Sequence, residues 1–334
     1  VPQDNPLVQR ILNGYGITDA KVLPPQKGYR NQSFPVITGD KELNLILYKS
    51  EPGMLARIKR TNHVADFAAR AGFPARRTYT PRIAVLQSGT FLKYAALYEY
   101  LPGHTIPWDG YTQDHIKLLG KTMSDMHAAL AGLDYDELPD VTDEYLDIVG
   151  RMRRYFSDAP VQRALADKLL LRISPEIFDE FEQLLTGAKL LPGKQPLHMD
   201  FVRSNILFDD AQAQSEFKVD ITGILDFEKT AYGHPLFDIA RTLAFLLVDC
   251  KHKPAAKVRK YFLGSGYIKR GESMLPDKHM SLLEPLINLF LFYDFYKFLR
   301  HNPYESLPDN EHFVRTAGLL IPTHLVVPTT SVAR

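Results

Sequence analysis

The strongest constraint on this chain is that its two kinds of periodicity are kept apart along its length. Hairpin and period-two signals crowd the first hundred or so residues, and helical spacing dominates after Leu101-Pro102-Gly103. Strands segregated from helices point to an α+β fold in two parts rather than to an alternating α/β sheet. In the first part, residues 21–23 are apolar enough for a strand and residues 33–38 read as a second. Gly39-Asp40 follows as a hairpin turn pair, since both residues tolerate the left-handed backbone such turns use. Leu43, Leu45 and Leu47 then alternate, with Lys49 next on the same face. Residues 54–71 contain neither Pro nor Gly and predict a helix closed by Gly72 and Pro74. Residues 82–87 and 91–100 predict another hairpin.

Beyond the break, Ile116, Leu119, Met123, Met126 and Leu130 recur at helical spacing across 112–130. Residues 144–156, 176–185, 236–248 and 281–299 predict further helices, and 206–208 and 221–225 predict short strands flanking a polar turn. The expected organisation is a small β-rich lobe, 1–101, and a large helical lobe, 102–334, holding one β-hairpin.

Composition narrows the function classes. Of 334 residues, 45% are hydrophobic and 24% charged, so a sizeable core forms without disulfides or a structural metal. The formal net charge of +1 gives no global field for nucleic acid or an anionic membrane, and neither is expected as a partner. Arg151, Arg153 and Arg154 fit a solvated helix face. Cys250 is the only cysteine, which rules out an internal disulfide and a thiolate zinc site and points to a reducing cytoplasm. Val1-Pro2-Gln3-Asp4 shows no basic segment followed by an apolar stretch, so no signal peptide is expected. The most apolar segment, 285–299, contains Asn288, Asp294 and Lys297 and is too short and too polar to span a bilayer.

The chemistry is concentrated in 197–228. Leu197-His198-Met199-Asp200-Phe201-Val202-Arg203-Ser204-Asn205 carries the spacing His-x-Asp-x-x-x-x-Asn, and Gly223-Ile224-Leu225-Asp226-Phe227-Glu228 follows it. Phosphoryl transfer requires a carboxylate near the acceptor hydroxyl and oxygen ligands for a metal on the phosphates. Asp200 fits the first need, orienting or deprotonating the hydroxyl. Asn205 and Asp226 fit the second, and such hard oxygen donors suit Mg²⁺.

These motifs resemble the aminoglycoside phosphotransferase and choline kinase superfamily, whose members share a protein-kinase-like fold. Asp226-Phe227-Glu228 stands where protein kinases have Asp-Phe-Gly. Gly233-His234-Pro235-Leu236-Phe237-Asp238-Ile239-Ala240 is similar to the family's Gly-Asp-Pro-x-x-Asp-Leu-Ala element, with His234 replacing Asp. The resemblance implies ATP and Mg²⁺ as cofactors and a hydroxyl-bearing small molecule as acceptor. It implies that Lys27-Gly28-Tyr29-Arg30-Asn31-Gln32-Ser33-Phe34 holds a phosphate loop, with Gly28 and Asn31 as cofactor contacts or simply a turn. It places Lys49 on the α- and β-phosphates, and Glu99, Tyr100 and Leu101 in the connector that reads the adenine edge. It makes His198 a packing residue, Asp238 a tie for the catalytic loop, and His127 a packed helix-end residue. Arg203 is left open between the γ-phosphate, the substrate and solvent.

The helix over 54–71 departs from the pattern. It should supply a Glu for Lys49, but its only acid is Asp66, and Asn62 or His63 falls nearer the expected place. Lys49 then either lacks a partner or takes Glu51 or Glu42, and a nucleotide-binding regulatory pseudokinase becomes the alternative to an active kinase. A protein kinase fits poorly, because no Ala-Pro-Glu element follows Asp226, and a P-loop NTPase is excluded by the missing Gly-x-x-x-x-Gly-Lys-[Ser/Thr]. Residues 291–296 read mainly as a core helix, with Tyr293 and Asp294 offering a cradle for a cationic substrate as the sharper option. The acceptor and the oligomeric state are not readable.

Overall fold

The computed structural model describes residues 5–27, 31–88, 91–209, 215–271, 275–320 and 325–326. By its contacts the chain divides into two compact units, one of residues 1–105 with 204–229 and the other of 106–203 with 230–334.

The first unit is organised by one antiparallel sheet. Its strands are β1 (Lys21–Val22), β2 (Gln26–Lys27), β3 (Gln32–Thr38), β4 (Lys41–Leu47), β5 (Thr78–Ser88) and β6 (Phe91–Glu99), in the order β1-β3-β4-β6-β5 with β2 also on β3. The β3–β4 register runs from Gln32↔Leu47 to Thr38↔Lys41, and Gly39 in the turn has φ +55. Strand β4 is buried on both faces. Leu43, Leu45 and Leu47 pack with Val8, Ile11 and Leu12 of α1 (Pro6–Gly14). Ile46 packs on the opposite face with Tyr48 and with Met54 and Ile58 of α2 (Met54–Arg70). Each such buried aliphatic side chain contributes roughly 1.5–3 kcal/mol. Helix α1, not expected from the sequence, starts at the Asn5 cap, whose side chain accepts from Val8 N–H, with Pro6 in its first turn. Lys49 lies just past the end of β4, so it does not continue the buried face.

The same unit holds the hairpin of β9 (Ile206–Asp209) and β10 (Asp220–Ile224), with β8 (Gln195–Leu197) belonging to the other unit. His104 exchanges backbone bonds with Phe208, and Thr222 Oγ1 donates to Pro102 O at 2.6 Å. Gly103 is required there. Its φ is +115, and a Cβ would lie 2.4 Å from Thr222 Oγ1.

The second unit is helical: α3 (Gln113–Leu130), α4 (Val141–Phe156), α5 (Ala159–Leu169), α6 (Glu176–Lys189), α7 (Leu236–Asp249), α8 (Ala255–Arg259), α9 (Leu283–His301) and α10 (Glu311–Leu320). Two short pairs complete it, β8 with β11 (Ala231–Gly233) and β7 (Arg172–Ile173) with β12 (Leu325–Val326). Thr112 caps α3 with His115 in a reciprocal box, and Asp140 caps α4. Phe156, Phe178, Phe292 and Phe295 interlock between α4, α6 and α9 at ring separations of 5.4–6.4 Å. A π-helical stretch, Lys260–Ile268, runs against α3 so closely that a Cβ on Gly120 would sit 2.0 Å from Phe262 O. No helix among the described residues is long and apolar enough to cross a membrane.

Candidate active site

In the helical unit, the loop after β8 carries Asp200. Its backbone is held by Asp238, on the first turn of α7 and 1% exposed. Asp238 Oδ2 accepts from His198 N–H at 2.8 Å and Oδ1 accepts from Met199 N–H at 2.6 Å. His127 Nε2 donates to Asp238 Oδ2 at 3.1 Å, while His127 Nδ1 meets the Tyr267 hydroxyl at 2.7 Å. Burial works to raise the Asp238 pKa, but the bonds from His127 and the charge of its surroundings outweigh it and hold the carboxyl below its ordinary range. The fastening offsets local strain. Met199 has φ +57, a conformation that costs a non-glycine residue about 1–2 kcal/mol.

Asp200 itself is stabilised from both sides of the chain. Its N–H donates to His198 Nδ1 at 3.1 Å and its carbonyl accepts from Val202 N–H at 2.8 Å. Its carboxylate faces Arg241, whose Nη2 lies 3.4 Å from Oδ1. Arg241 also donates to the Tyr145 hydroxyl at 2.6 Å. Burial opposes the charge of Arg241, yet Tyr145 and Asp200 outweigh it and hold the guanidinium above its usual range. Nothing in the local sequence announces this residue. It lies one turn after Asp238 on α7 and reaches back across forty-one positions.

His234, which replaces the family's Asp, serves as an acceptor at the start of α7. Its Nδ1 accepts from Leu236 N–H at 3.2 Å and its Nε2 meets His279 Nδ1 at 3.0 Å. Burial, then the neighbouring His279, pushes its pKa down to about 4.

In the first unit, Asn205 and Asp226 lie at adjoining ends of the β9–β10 hairpin, where Leu225 N–H donates to Asn205 O at 2.8 Å. Asp226 has φ +58, and its Oδ1 accepts from Glu228 N–H at 3.3 Å. Asn31 bridges two candidate elements: its Nδ2 donates to Glu228 Oε1 at 2.7 Å and its Oδ1 accepts from Lys49 N–H at 3.1 Å. Burial and the charge of Asp226 raise the pKa of Glu228. Gly28 lies outside the described residues. Of the connector, Glu99 N–H donates to Arg77 O at 3.0 Å and Tyr100 N–H to Glu42 O at 3.2 Å, and Leu101 packs against Gly223.

The partner of Lys49 is Glu51, at 3.6 Å, and the Lys49 side chain is 63% exposed. Helix α2 offers no acid to it. Asp66 instead fastens β5, accepting from Thr78 N–H at 2.7 Å and Thr78 Oγ1 at 2.6 Å. Asn62 accepts from the Tyr98 hydroxyl at 2.9 Å, and Tyr98 pairs with Tyr48 at 2.5 Å. The Arg76 guanidinium lies 4.1 Å over the Tyr98 ring and is 8% exposed. Burial lowers its pKa, but Tyr48, Tyr98, Asp226 and Glu228 outweigh that and raise it.

The donor set suits a hard divalent cation. Asn205 offers an amide oxygen and Asp226 a carboxylate, and no cluster of three or more His, Cys, Asp or Glu gathers among the described residues. A hard divalent cation can be held by one or two carboxylates, with phosphates and water completing its shell.

A family model described as the phosphotransferase enzyme family, APH, matches residues 21–262. No curated protein matches the chain in sequence. Among solved structures, an aminopropanol kinase associated with a microcompartment matches with a TM-score of 0.66 at 16% identity, covering 94% of each chain. Amicoumacin kinase, solved in complex with AMP-PNP, Ca²⁺ and Ami, matches with a TM-score of 0.63 at 12% identity, over 95% of this chain and 93% of that one. A spectinomycin phosphotransferase, solved with ADP and spectinomycin, matches with a TM-score of 0.54 at 14% identity, over 95% of each. These likenesses show the fold: α+β, protein-kinase-like, of the two-lobe kind.

Proposed function

Because the chain belongs to the phosphotransferase enzyme family, we propose that it moves the γ-phosphate of ATP to a hydroxyl of a small molecule, in a reducing cytoplasm. The observation that carries this reading is the Asp200 loop, whose backbone is fastened by Asp238 through consecutive N–H groups while its carboxylate stays beside a buried cation. In this proposal residues 1–101 form the nucleotide lobe and 102–334 the catalytic and substrate lobe.

The transfer forms an oxygen–phosphorus bond at the acceptor, breaks the bond to the β-phosphate oxygen, and releases the hydroxyl proton. Asp200 accepts or orients that proton and aims the oxygen in line. Lys49, with Gly28 and Asn31, neutralises and cradles phosphate, and residues 99–101 hold the adenine. Asn205 and Asp226 would hold Mg²⁺, which when bound would neutralise phosphate charge. Positioning and electrostatics supply the catalysis. The test is label transfer from γ-labelled ATP with Mg²⁺ into pooled hydroxyl compounds, with Asp200→Ala in parallel. Transfer by the unaltered protein alone upholds the reading, and equal transfer by both proteins removes Asp200 from it.

One observation favours a second reading, a regulatory pseudokinase. Asn62 sits in a neutral tyrosine network where a helix acid is expected, and Lys49 is exposed. ATP binding without any turnover would select it.

A further inference from the structure

Phosphate brings several negative charges into a site, and a cation shielded from water attracts it more strongly than one held out in solvent. The cation expected at the phosphates, Lys49, is the exposed kind. Its side chain is 63% exposed and shares Glu51 with Arg57. The residue beside it that packs toward α2 is Tyr48.

Arg76 is the shielded kind. It is 8% exposed, and its guanidinium lies 4.1 Å over the Tyr98 ring. That ring is fixed at its hydroxyl by Asn62 at 2.9 Å and by Tyr48 at 2.5 Å. The backbone is fixed as well. Arg76 N–H donates to Ile224 O at 3.2 Å, and Ile224 N–H donates to Pro74 O at 2.7 Å. Ile224 ends β10, two positions before Asp226. The charges of Asp226 and Glu228 both act on Arg76. Glu228 is held from its other side by Asn31, whose Nδ2 donates to it at 2.7 Å.

Neither acid pairs with the arginine. Among the described residues its guanidinium makes no hydrogen bond and no ion pair, yet none of its nitrogens is sealed from solvent. A positioned cation therefore stands near enough to two carboxylates to feel their charge, beyond ion-pair distance from both, with its donors open. At such low exposure water serves those donors poorly, and a phosphate oxygen serves them with charge-assisted bonds that suit a planar guanidinium.

We infer that Arg76 is a phosphate-binding residue of the nucleotide site, supplying the principal positive charge there, with Lys49 in a lesser, solvent-screened share. This rests on the phosphotransferase reading. It also accounts for the helix acid that α2 lacks. A cation held by a ring and by backbone needs no carboxylate from α2, and Asn62 serves instead by fixing that ring.

The experiment measures dissociation constants for ATP and for adenosine, each with Mg²⁺, by titration calorimetry. The proteins are the unaltered chain, Arg76→Gln, Arg76→Lys and Lys49→Gln. In Arg76→Gln, ATP is expected to weaken by at least about tenfold, the scale of one hydrogen bond to a charged group, while adenosine changes by less than about twofold. Arg76→Lys returns part of the ATP affinity. Lys49→Gln weakens ATP by less than about threefold, as an exposed charge should. An equal loss for ATP and adenosine in Arg76→Gln is the mark of a purely structural arginine and overturns the assignment. A larger loss of ATP in Lys49→Gln than in Arg76→Gln overturns it too. Should the Arg76 variants fail to fold, the unaltered protein labelled with ¹⁵N-arginine decides. The Arg76 Nε–H resonance is expected to shift with saturating Mg²⁺ and ADP but not with adenosine, and a resonance that the nucleotide leaves unmoved overturns the assignment. ATP that does not bind the unaltered protein refutes the phosphotransferase reading and this inference with it, whereas ATP binding in which Arg76 has no share refutes this inference alone.

Discussion

The two units bury polar side chains by different means. In the helical unit a buried carboxylate, Asp238, takes two consecutive backbone N–H groups and a histidine. In the first unit a neutral chain of Tyr48, Tyr98 and Asn62 lies under the Arg76 guanidinium. Removing one partner from a buried charged arrangement costs about 3–5 kcal/mol, because a charge or several donors are left unpaired. A single neutral hydrogen bond contributes only about 0.5–1.5 kcal/mol. The helical unit therefore has little freedom to vary at Asp238, whereas the first unit can exchange a lysine–glutamate pair for hydroxyl and amide groups and still pack.

The comparison is sharpened first by Asp238→Ala. It is expected to lower unfolding stability by about 3–5 kcal/mol in urea titration and to abolish transfer, since Met199 and His198 lose their acceptor. Asp200→Ala is the contrasting case, losing turnover at least about a thousandfold while nucleotide binding persists. Full activity in the Asp238 variant would break the distinction between the units.

Next comes pH. Burial opposes the charge of His312, but its bonds to Asp249 and Asp294 hold its folded-state pKa up at about 9 against an ordinary 6.5, so its contribution is complete below 6.5 and disappears as pH rises through 9. On the order of 1–3 kcal/mol should be lost over that window, measured as the melting temperature of the unaltered protein. In His312→Gln the loss over the same window should vanish. His234 acts with the opposite sign. Its pKa is down at about 4, so it removes stability as pH falls from 6.5 toward 4. A flat profile in the unaltered protein on both sides would show that neither histidine feels its buried neighbours.

The smaller effects test the first unit. Tyr98→Phe deletes both hydroxyl bonds and is expected to cost about 1–2 kcal/mol. A cost as large as that of Asp238→Ala would mean the tyrosine network carries charge after all. Glu51→Gln weakens two partly exposed ion pairs, to Lys49 and to Arg57, and should change stability by less than about 1 kcal/mol, measured by urea titration, alongside any loss of nucleotide affinity.

What was legible in the sequence was what lies close along the chain. The hairpin at Gly39, the helix starting near Thr112 and the β9–β10 hairpin flanked by Asn205 and Asp226 are local, and their spacing shows them. The tie expected of Asp238 is present as read, and His198 is buried as a packing residue should be while also accepting from Asp200 N–H. What escaped depends on partners distant in sequence. Arg241 meets Asp200, Arg76 lies over Tyr98, and His234 meets His279, none of them at a spacing that marks the pair. Helix α1 escaped because it is short and its apolar residues acquire meaning only against the sheet. The aromatic helix α9 divides in two: Phe292 and Phe295 are core, while Asp294 is already paired with Lys297 and His312 instead of standing open as a cradle for a cation.

The fastening of the Asp200 loop also has a consequence in time. The acceptor for His198 and Met199 N–H groups is on α7, well after the loop itself, and the histidine that supports it comes from α3, well before. A chain under synthesis has had its whole catalytic motif added before Asp238 is made. Until α7 docks on α3, that segment has no reason to hold Met199 in its left-handed state. Competence for turnover should therefore arrive late and abruptly during biogenesis, when the second half of the helical unit closes on the first.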